Sequence, residues 1–201
     1  MRVTVIDYKA GNLTSVLKTL RHLGADAEVT DSDLSLIESA ERIVLPGVGH
    51  FAATKRLDET GMTGAIRVAI ARGVSFLGIC VGMQWLYAGS SEAANQQGLG
   101  HFKESCTRFP ECNRKVPHVG WNSLETNSDS RLLAGVGAGE FVYFTHSYKA
   151  PVTTSTAAVA EYIEPFAAAV ESGNVMGVQF HPEKSGETGL KILRNFLEWT
   201  C

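Results

Sequence analysis

The chain has 201 residues, of which 44% are hydrophobic and 19% charged, and its formal net charge is −3. These values are ordinary for a globular protein with one full core, so we expect a single domain over residues 1–201. The slightly acidic balance argues against nucleic acid or an anionic membrane surface as a partner, and no apolar run is long enough to span a bilayer.

The first half of the chain alternates predicted strands and helices. Short apolar segments bounded by turn residues predict strands at residues 2–7, 27–30 and 42–45. Helical segments are also predicted at residues 34–39, 50–60 and 62–71. An earlier helix is expected to begin after Asn12, which can cap it, and to end at Gly24. This alternation is typical of an α/β fold, an open, mostly parallel sheet with helices on both faces.

The second half of the chain changes character. Short β-prone segments separated by turn residues lie at residues 116–119, 121–124, 141–144, 156–161, 166–170 and 175–180. They predict an added antiparallel or mixed β region at the edge of the sheet. An amphipathic helix is expected over residues 187–199. Because the chain opens on a predicted strand rather than on a signal peptide, we expect a cytoplasmic protein.

One cysteine is placed for reactivity. Cys80 lies between Gly78 and Gly82, directly after a predicted buried strand and before residues with helical spacing. Gly-x-Cys-x-Gly in this context is the cysteine form of the nucleophile elbow, whose sharp turn exposes the side chain above an α/β sheet. The start of a helix also favours the thiolate form. The alternative is a small buried cysteine packed beneath two turn glycines.

A general base for such a thiol is expected further along the chain. His181 follows a predicted strand, and Pro182 and Glu183 come directly after it. Strand ends of an open α/β sheet meet at one edge, where sites assemble, and Glu183 is near enough in sequence to orient the imidazole. His118 and His146 also lie at predicted strand ends, but no carboxylate follows them closely, so His181 is the preferred base.

Acyl transfer through a thiol also needs hydrogen-bond donors for a tetrahedral oxyanion. The backbone N–H of Val81, the residue after the cysteine, is one by elbow geometry. The turn formed by Gly47, Val48 and Gly49 after the third predicted strand can supply another, since glycines permit close approach of the backbone to a ligand. The alternative for these three residues is an ordinary turn.

Two motifs together resemble those of the class I, triad-type glutamine amidotransferases. They are Gly-Ile-Cys-Val-Gly-Met-Gln at residues 78–84 and Gln-Phe-His-Pro-Glu-Lys at residues 179–184. Further segments at residues 5–13, 45–49, 115–122 and 143–148 are similar to the branch of glutaminase subunits that serve imidazole glycerol phosphate synthases. The resemblance covers nearly the whole chain. It implies glutamine hydrolysis through a cysteinyl thioester and delivery of ammonia to a partner's active site.

The resemblance also assigns roles to individual residues. Cys80 is the implied nucleophile, His181 the base and then acid, and Glu183 its orienting group. Val48 and Val81 supply oxyanion N–H groups, Val48 after a flip of the Gly47–Val48 peptide. The implied substrate-binding residues are Gly47, Gly49, Gln84, Ser147 and Tyr148. The residues that face a (β/α)8-barrel synthase subunit, in a heterodimer, are Asn12, Pro117, Trp121, Asn122, Tyr143 and Lys184. Lys9, where the family has glycine, and residues 105–114 depart from the pattern.

Three other functions stay open on the sequence. The chain could be a glutaminase for another synthase, such as those of pyridoxal phosphate or anthranilate synthesis. It could be an inactive amidotransferase-like binding protein, or a cysteine hydrolase for another small amide, since fold does not fix substrate. We expect no cofactor, because no phosphate-binding loop or dinucleotide motif is present. Cys106 and Cys112 lack metal-site spacing, so we expect no metal.

Overall fold

The structure is a computed structural model that describes residues 1–10, 13–127 and 129–199. In chain order its strands and helices are β1 (Arg2–Ile6), α1 (Leu13–His22), β2 (Asp26–Thr30), α2 (Leu34–Glu38), β3 (Arg42–Gly47), α3 (Lys55–Glu59), α4 (Met62–Ala71), β4 (Ser75–Cys80), α5 (Val81–Gln84), β5 (Gly89–Ser90), β6 (Ser105–Arg108), β7 (His118–Ser123), β8 (Glu125–Thr126), β9 (Phe141–His146), β10 (Tyr148–Lys149), β11 (Thr156–Glu161), β12 (Pro165–Ser172), β13 (Val175–Val178) and α6 (Gly186–Glu198). Short 3-10 turns cover Phe51–Thr54 and Pro182–Lys184.

The main sheet has eight strands in the order β2-β1-β3-β4-β13-β12-β11-β8. The first five run parallel, and β12, β11 and β8 add to them in antiparallel fashion. All residues of β4 and β13 are buried, as expected for central strands covered on both faces. The predicted α/β fold, with an antiparallel extension from the second half of the chain, is therefore confirmed.

Part of the second half leaves the main sheet. Strands β7 and β9 pair only with each other, and β5, β6 and β10 form a further small sheet. The prediction of two strands at residues 116–119 and 121–124 was wrong, because a single strand, His118–Ser123, replaces them. It continues through Gly120 at a φ of 136°, a value that glycine tolerates, so the expected turn does not form there.

The pair β7 and β9, called the ribbon below, has two distinct faces. Side chains alternate between them because successive residues of a strand point to opposite sides. Val119, Trp121 and Phe141 lie on the outer face and are 57%, 55% and 57% exposed. The inner face is buried and carries His118, Val142, Phe144 and His146. The ribbon therefore separates an exposed apolar surface from the interior by the thickness of one sheet.

The helix after Cys80 is shorter than its sequence pattern indicates. Residues up to Tyr87 have helical spacing, but α5 is a single turn that ends at Gln84. The carbonyl groups of Trp85, Leu86 and Tyr87 accept hydrogen bonds from the N–H groups of residues 99, 102 and 100. Since this later segment binds those carbonyls, they are not free to extend the helix, and the dipole of α5 is correspondingly small.

The two glycines around Cys80 are required by close packing. A Cβ atom built on Gly82 would lie 1.8 Å from the carbonyl oxygen of Leu45 in β3. One built on Gly78 would lie 2.4 Å from the carbonyl oxygen of Gly82. Both neighbours are backbone atoms, which cannot rotate aside as a side chain can. The turn that carries Cys80 is therefore pressed against the neighbouring strand.

We predict that Gly82→Ala lowers the free energy of unfolding by at least about 3 kcal/mol, since the added methyl group overlaps the backbone of β3. Gly64→Ala is the matched control, because Gly64 lies in α4 with open space around it. That control should raise the free energy of unfolding by about 0.5–1 kcal/mol. Urea denaturation of the two variants measures both changes. Equal stability of the two variants would contradict the packing described for Gly82.

Candidate active site

Three neighbouring parallel strands end at the same edge of the sheet and bring the predicted residues together. Gly47 at the end of β3 is the register partner of Cys80 at the end of β4. On the other side of β4, Val178 of β13 is the partner of Ile79, so Gln179 comes level with the cysteine and His181 follows two residues later. The carboxyl edge of a parallel sheet is where α/β proteins assemble their sites.

Cys80 has a strained backbone. Its φ of 54° and ψ of −109° lie outside the regions that residues with a Cβ normally occupy, and such strain concentrates at functional sites. The residue is buried, with an exposed fraction of 3%. Its Sγ receives a hydrogen bond from Gln179 Nε2 at 3.6 Å and lies 4.0 Å from the Thr145 carbonyl oxygen. The expected elbow geometry is therefore present.

His181 and Glu183 form a buried pair beside the cysteine. His181 Nδ1 lies 2.9 Å from Glu183 Oε1, and the two side chains are 2% and 3% exposed. The 3-10 turn that begins at Pro182 folds the carboxylate back toward the imidazole. His181 Nε2 has no hydrogen bond of ordinary geometry to any residue that the structure describes, so this nitrogen is available for a reacting group.

The charge state of His181 follows from its surroundings. Burial lowers the pKa of the imidazole, but interactions with Cys80 and with Glu183 outweigh burial and raise that pKa to about 9. At neutral pH the ring is therefore protonated. The helix dipole that the sequence predicted at Cys80 is weak, because α5 is a single helical turn.

The two expected oxyanion donors are in different states. Val81 is the first residue of α5, so its N–H has no partner within the helix. The Val48 N–H, in contrast, donates to the Ala10 carbonyl oxygen at 3.2 Å. Gly47 is held between Tyr8 and Val81, since a Cβ atom there would lie 1.9 Å from the Tyr8 hydroxyl oxygen. The second donor becomes available only if the Gly47–Val48 peptide rotates.

A cavity of about 200 Å³ lies in front of Cys80. Its lining residues are Val48, Gly49, Cys80, Val81, Gln84, Glu92, Pro117, Thr145, His146, Ser147 and Tyr148. All expected substrate-binding residues except Gly47 belong to this lining. His181 and Glu183 are not among the lining residues either.

Glu92 is a site residue that sequence reasoning missed. It lies in a loop with no motif of its own, and its Oε2 accepts a hydrogen bond from the Phe51 N–H at 2.7 Å. It is the only carboxylate among the residues that line this cavity. Glu92 lies 12 residues after Cys80, with several turns between them, so its place beside the cavity follows from the fold and not from a local sequence pattern.

The residues expected to face a partner are divided between two surfaces. Trp121 on the outer face of the ribbon contacts Tyr143 edge-on with ring centroids 6.1 Å apart, and Lys184 Nζ lies 5.9 Å from the Tyr143 ring centroid. Pro117 lines the cavity. The Asn122 side chain points to the inner side, where its amide donates to the Glu161 carbonyl oxygen at 2.9 Å. Asn12 lies outside the described residues.

The remaining sequence candidates have structural explanations. Cys106 is fully buried, and burial raises the pKa of its thiol, whereas Cys112 is exposed. Lys9 adopts a φ of 64°, a backbone conformation that glycine adopts without strain. Over the described ranges, no three His, Cys, Asp or Glu side chains are grouped to hold a metal ion, and no helix has the length and hydropathy needed to cross a membrane.

Comparison with known proteins agrees with this geometry. The family model for class I glutamine amidotransferases matches residues 4–199. Among solved structures, a glutamine amidotransferase from Thermotoga maritima superposes with a TM-score of 0.68 over 98% of this chain and 96% of its own, at 18% identity, which shows a shared fold. The fold and the site together define a class I glutamine amidotransferase.

Two curated relatives narrow the assignment. The imidazole glycerol phosphate synthase subunit HisH of Caldanaerobacter subterraneus subsp. tengcongensis is 47% identical over 98% of this chain and 97% of its own length. That of Methanosarcina acetivorans is 45% identical over 98% of both chains. The chain therefore belongs to the class I glutamine amidotransferase family, in the branch formed by the HisH subunits of imidazole glycerol phosphate synthase.

We predict that Cys80→Ser lowers the pKa of His181 from about 9, because the interaction with Cys80 is the largest contribution that raises it. The folded-state value lies above the ordinary one, so protonation of His181 stabilises the folded chain fully below about pH 6.5, and this stabilisation is lost as pH rises through about 9. NMR titration of the His181 ring in wild type and variant measures the shift. An unchanged titration curve in Cys80→Ser would contradict the coupling.

Proposed function

We propose that this chain is the glutaminase subunit of an imidazole glycerol phosphate synthase. It hydrolyses glutamine to glutamate and ammonia and passes the ammonia to a separate synthase subunit. The observation that carries the proposal is the strained, cavity-facing Cys80 beside a buried His181–Glu183 pair. Names of relatives at 42–47% identity support the HisH branch over glutaminases of other synthases.

The first half of the proposed reaction forms a thioester. The Cys80 thiolate attacks the side-chain carbonyl carbon of glutamine, and the carbonyl electron pair moves onto oxygen. The Val81 N–H, at the start of α5, is placed to donate to that oxyanion. As the tetrahedral intermediate collapses, the C–N bond breaks and protonated His181 gives its proton to the leaving nitrogen, which departs as ammonia.

The second half regenerates the enzyme. Neutral His181 takes a proton from water, and the resulting hydroxide attacks the thioester carbonyl. The C–S bond breaks and releases the Cys80 thiolate, the new carboxyl group loses its proton to solvent to give glutamate, and His181 is again protonated. Glu183 remains bonded to Nδ1 throughout, so it fixes the orientation of the ring and stabilises its charged form. A pKa of about 9 for His181 suits this role, since the ring begins each cycle as an acid.

The cavity fits the remaining groups of glutamine. Glu92 supplies a carboxylate that can pair with the α-ammonium group. Ser147 and Tyr148 also line the cavity, and Gly49, at a φ of 102°, lets the backbone approach the ligand without a side chain in the way. We propose that these residues, with Gln84, select glutamine over other small amides.

A separate synthase subunit is part of the proposal. Val119, Trp121 and Phe141 form an exposed apolar face on the ribbon, with Tyr143 and Lys184 beside them. Such a face on a small chain is typical of a protein interface. We propose that it docks a (β/α)8-barrel subunit, in the cytoplasm, which uses the ammonia to make imidazole glycerol phosphate and aminoimidazole carboxamide ribotide. Rotation of the Gly47–Val48 peptide would then accompany docking.

Cys80→Ala should abolish glutamine hydrolysis, a loss of at least about a thousandfold, because no other group can form the thioester. The fold should be unaffected, since alanine fits the space of the thiol. Cys112→Ser is the matched control, because that cysteine is exposed, and it should keep full activity. Glutamate release by wild type and both variants, each with a synthase subunit present, is the measurement. Turnover by Cys80→Ala at the wild-type rate would refute the proposed nucleophile.

Trp121→Ala should weaken docking of the synthase subunit by about thirtyfold, because large aromatic side chains dominate the energetics of such interfaces. Val68→Ala removes another exposed apolar side chain, 57% exposed on α4 and far from the ribbon in sequence, and should leave affinity unchanged. Calorimetric titration with the synthase subunit compares the two. Equal loss of affinity in both variants would place the interface elsewhere.

A further inference from the structure

A row of hydrogen bonds joins the ribbon to the Cys80 thiol. His118 Nδ1 lies 3.2 Å from His146 Nε2 across the ribbon, where the two residues are register partners. His146 Nδ1 lies 2.9 Å from the Tyr148 carbonyl oxygen. Gln84 Nε2 donates to the same oxygen at 3.0 Å. The Tyr148 carbonyl is therefore the point at which contacts from the ribbon and from α5 meet.

The row continues from α5 to the nucleophile. Gln84 Nε2 also donates to Gln179 Oε1 at 3.0 Å, and Gln179 Nε2 donates to Cys80 Sγ at 3.6 Å. Both glutamine side chains are buried, with exposed fractions of 2% and 0%. A buried amide that lost one of these partners would keep an unpaired polar group, which costs free energy. The orientation of each side chain therefore depends on the next one.

The hydrogen-bond partners of His118 and His146 determine which ring nitrogen carries the proton. The Tyr148 carbonyl can only accept, so His146 must carry its proton on Nδ1. Burial lowers the pKa of His146 to about 3 and that of His118 to about 4, so both rings are neutral at pH 7. His146 Nε2 is then an acceptor, and His118 must donate from Nδ1. His118 Nε2 accepts in turn from Asn122 Nδ2, at 3.5 Å.

Packing alone does not explain why residues 118 and 146 are histidines. The His118 ring stacks on Tyr162 at 4.0 Å and on Phe144 at 4.9 Å between centroids. Phenylalanine would fill the same space without burying ring nitrogens, whose removal from water is costly unless they are paired. Each ring accepts one hydrogen bond and donates the next, in the order Asn122, His118, His146, Tyr148. From the Tyr148 carbonyl the hydrogen bonds continue through Gln84 and Gln179 to the sulfur of Cys80.

We propose that His118, His146 and Gln179 are positioning residues, which together with Gln84 fix the Cys80 thiol relative to the ribbon. In this arrangement the inner face of the ribbon holds the Tyr148 carbonyl, and that carbonyl orients Gln84 and through it Gln179. Displacement of the ribbon from its outer face then moves the thiol. The inference rests on the proposed function only in taking Cys80 as the reacting group.

Nitrogen NMR of the histidine rings tests the tautomers directly in the wild-type chain. We expect neutral Nδ1–H forms for both His118 and His146 at pH 7, since no other assignment satisfies the three hydrogen bonds that the two rings make. An Nε2–H form in either ring would break the row and overturn the inference. No substitution is required, so the test does not depend on the folding of a variant.

Two substitutions of His118 separate hydrogen bonding from packing. His118→Phe keeps the stacking and removes the bonds, whereas His118→Asn keeps a donor close to the position of Nδ1 and loses the ring. The readout is the rate at which iodoacetamide alkylates Cys80 at pH 7, followed by peptide mass spectrometry. We expect alkylation to slow about tenfold in His118→Phe and to stay within about threefold of wild type in His118→Asn, although the asparagine variant is the less stable to heat.

The opposite order, slow alkylation in His118→Asn and a wild-type rate in His118→Phe, would show that the histidine acts by packing and would overturn the inference. Wild-type rates in both variants would overturn it too. Gln179→Glu provides a second check near the sulfur, since it removes the donor to Sγ, and it should slow alkylation about tenfold. Alkylation needs neither glutamine nor a partner, so a failure of the proposed glutaminase function would leave these results unaffected.

Discussion

The site depends on how closely the turn after β4 approaches the end of β3. Gly82 lies against the Leu45 carbonyl with no room for a side chain, and Gly47 is level with Cys80 on the adjacent strand. This contact holds the cysteine in a backbone conformation that it would not adopt alone. Burial of the central strands β4 and β13 offsets this strain. The Cys80 thiol can therefore face the cavity at the edge of the sheet.

Burial of His181 and Glu183 at this edge of the sheet is unfavourable for their charged forms. Removing a cationic imidazole and a carboxylate from water is costly, and burial by itself lowers the pKa of His181. The charged state persists because the interactions with Cys80 and with Glu183 outweigh burial and raise the pKa of His181. Unpaired buried atoms also occur here, including His181 Nε2, Glu183 Oε2 and the Tyr8 hydroxyl. These are three of the six unpaired buried side-chain atoms among the described residues, and such groups at a site are more consistent with a reaction than with stability.

The sequence predicted those features that depend on neighbouring residues. The elbow glycines, the Pro182 turn and the alternation of strand and helix are local, and the structure has all of them. The family resemblance added Gln84, Ser147 and Tyr148, which line the cavity. The roles proposed for these residues stay predictions until activity is measured.

Features that arise from long-range packing could not be predicted. Glu92 reaches the cavity from a loop without a motif, and Gln179, although it belongs to the motif at residues 179–184, had no role assigned to it from the sequence. The length of α5 is set by residues 98–102, which bind its neighbouring carbonyls. Separation of the ribbon from the main sheet also depends on partners distant in sequence. Periodicity reports which side chains are buried, but not which strand lies beside which.

The most direct test of the central claim is covalent labelling with an electrophilic analogue of glutamine in the presence of a synthase subunit, followed by peptide mass spectrometry. The account predicts modification of Cys80, with little at the exposed Cys112, and protection of Cys80 by glutamine. Labelling of Cys112 in preference to Cys80, or labelling of Cys80 that glutamine does not prevent, would contradict it.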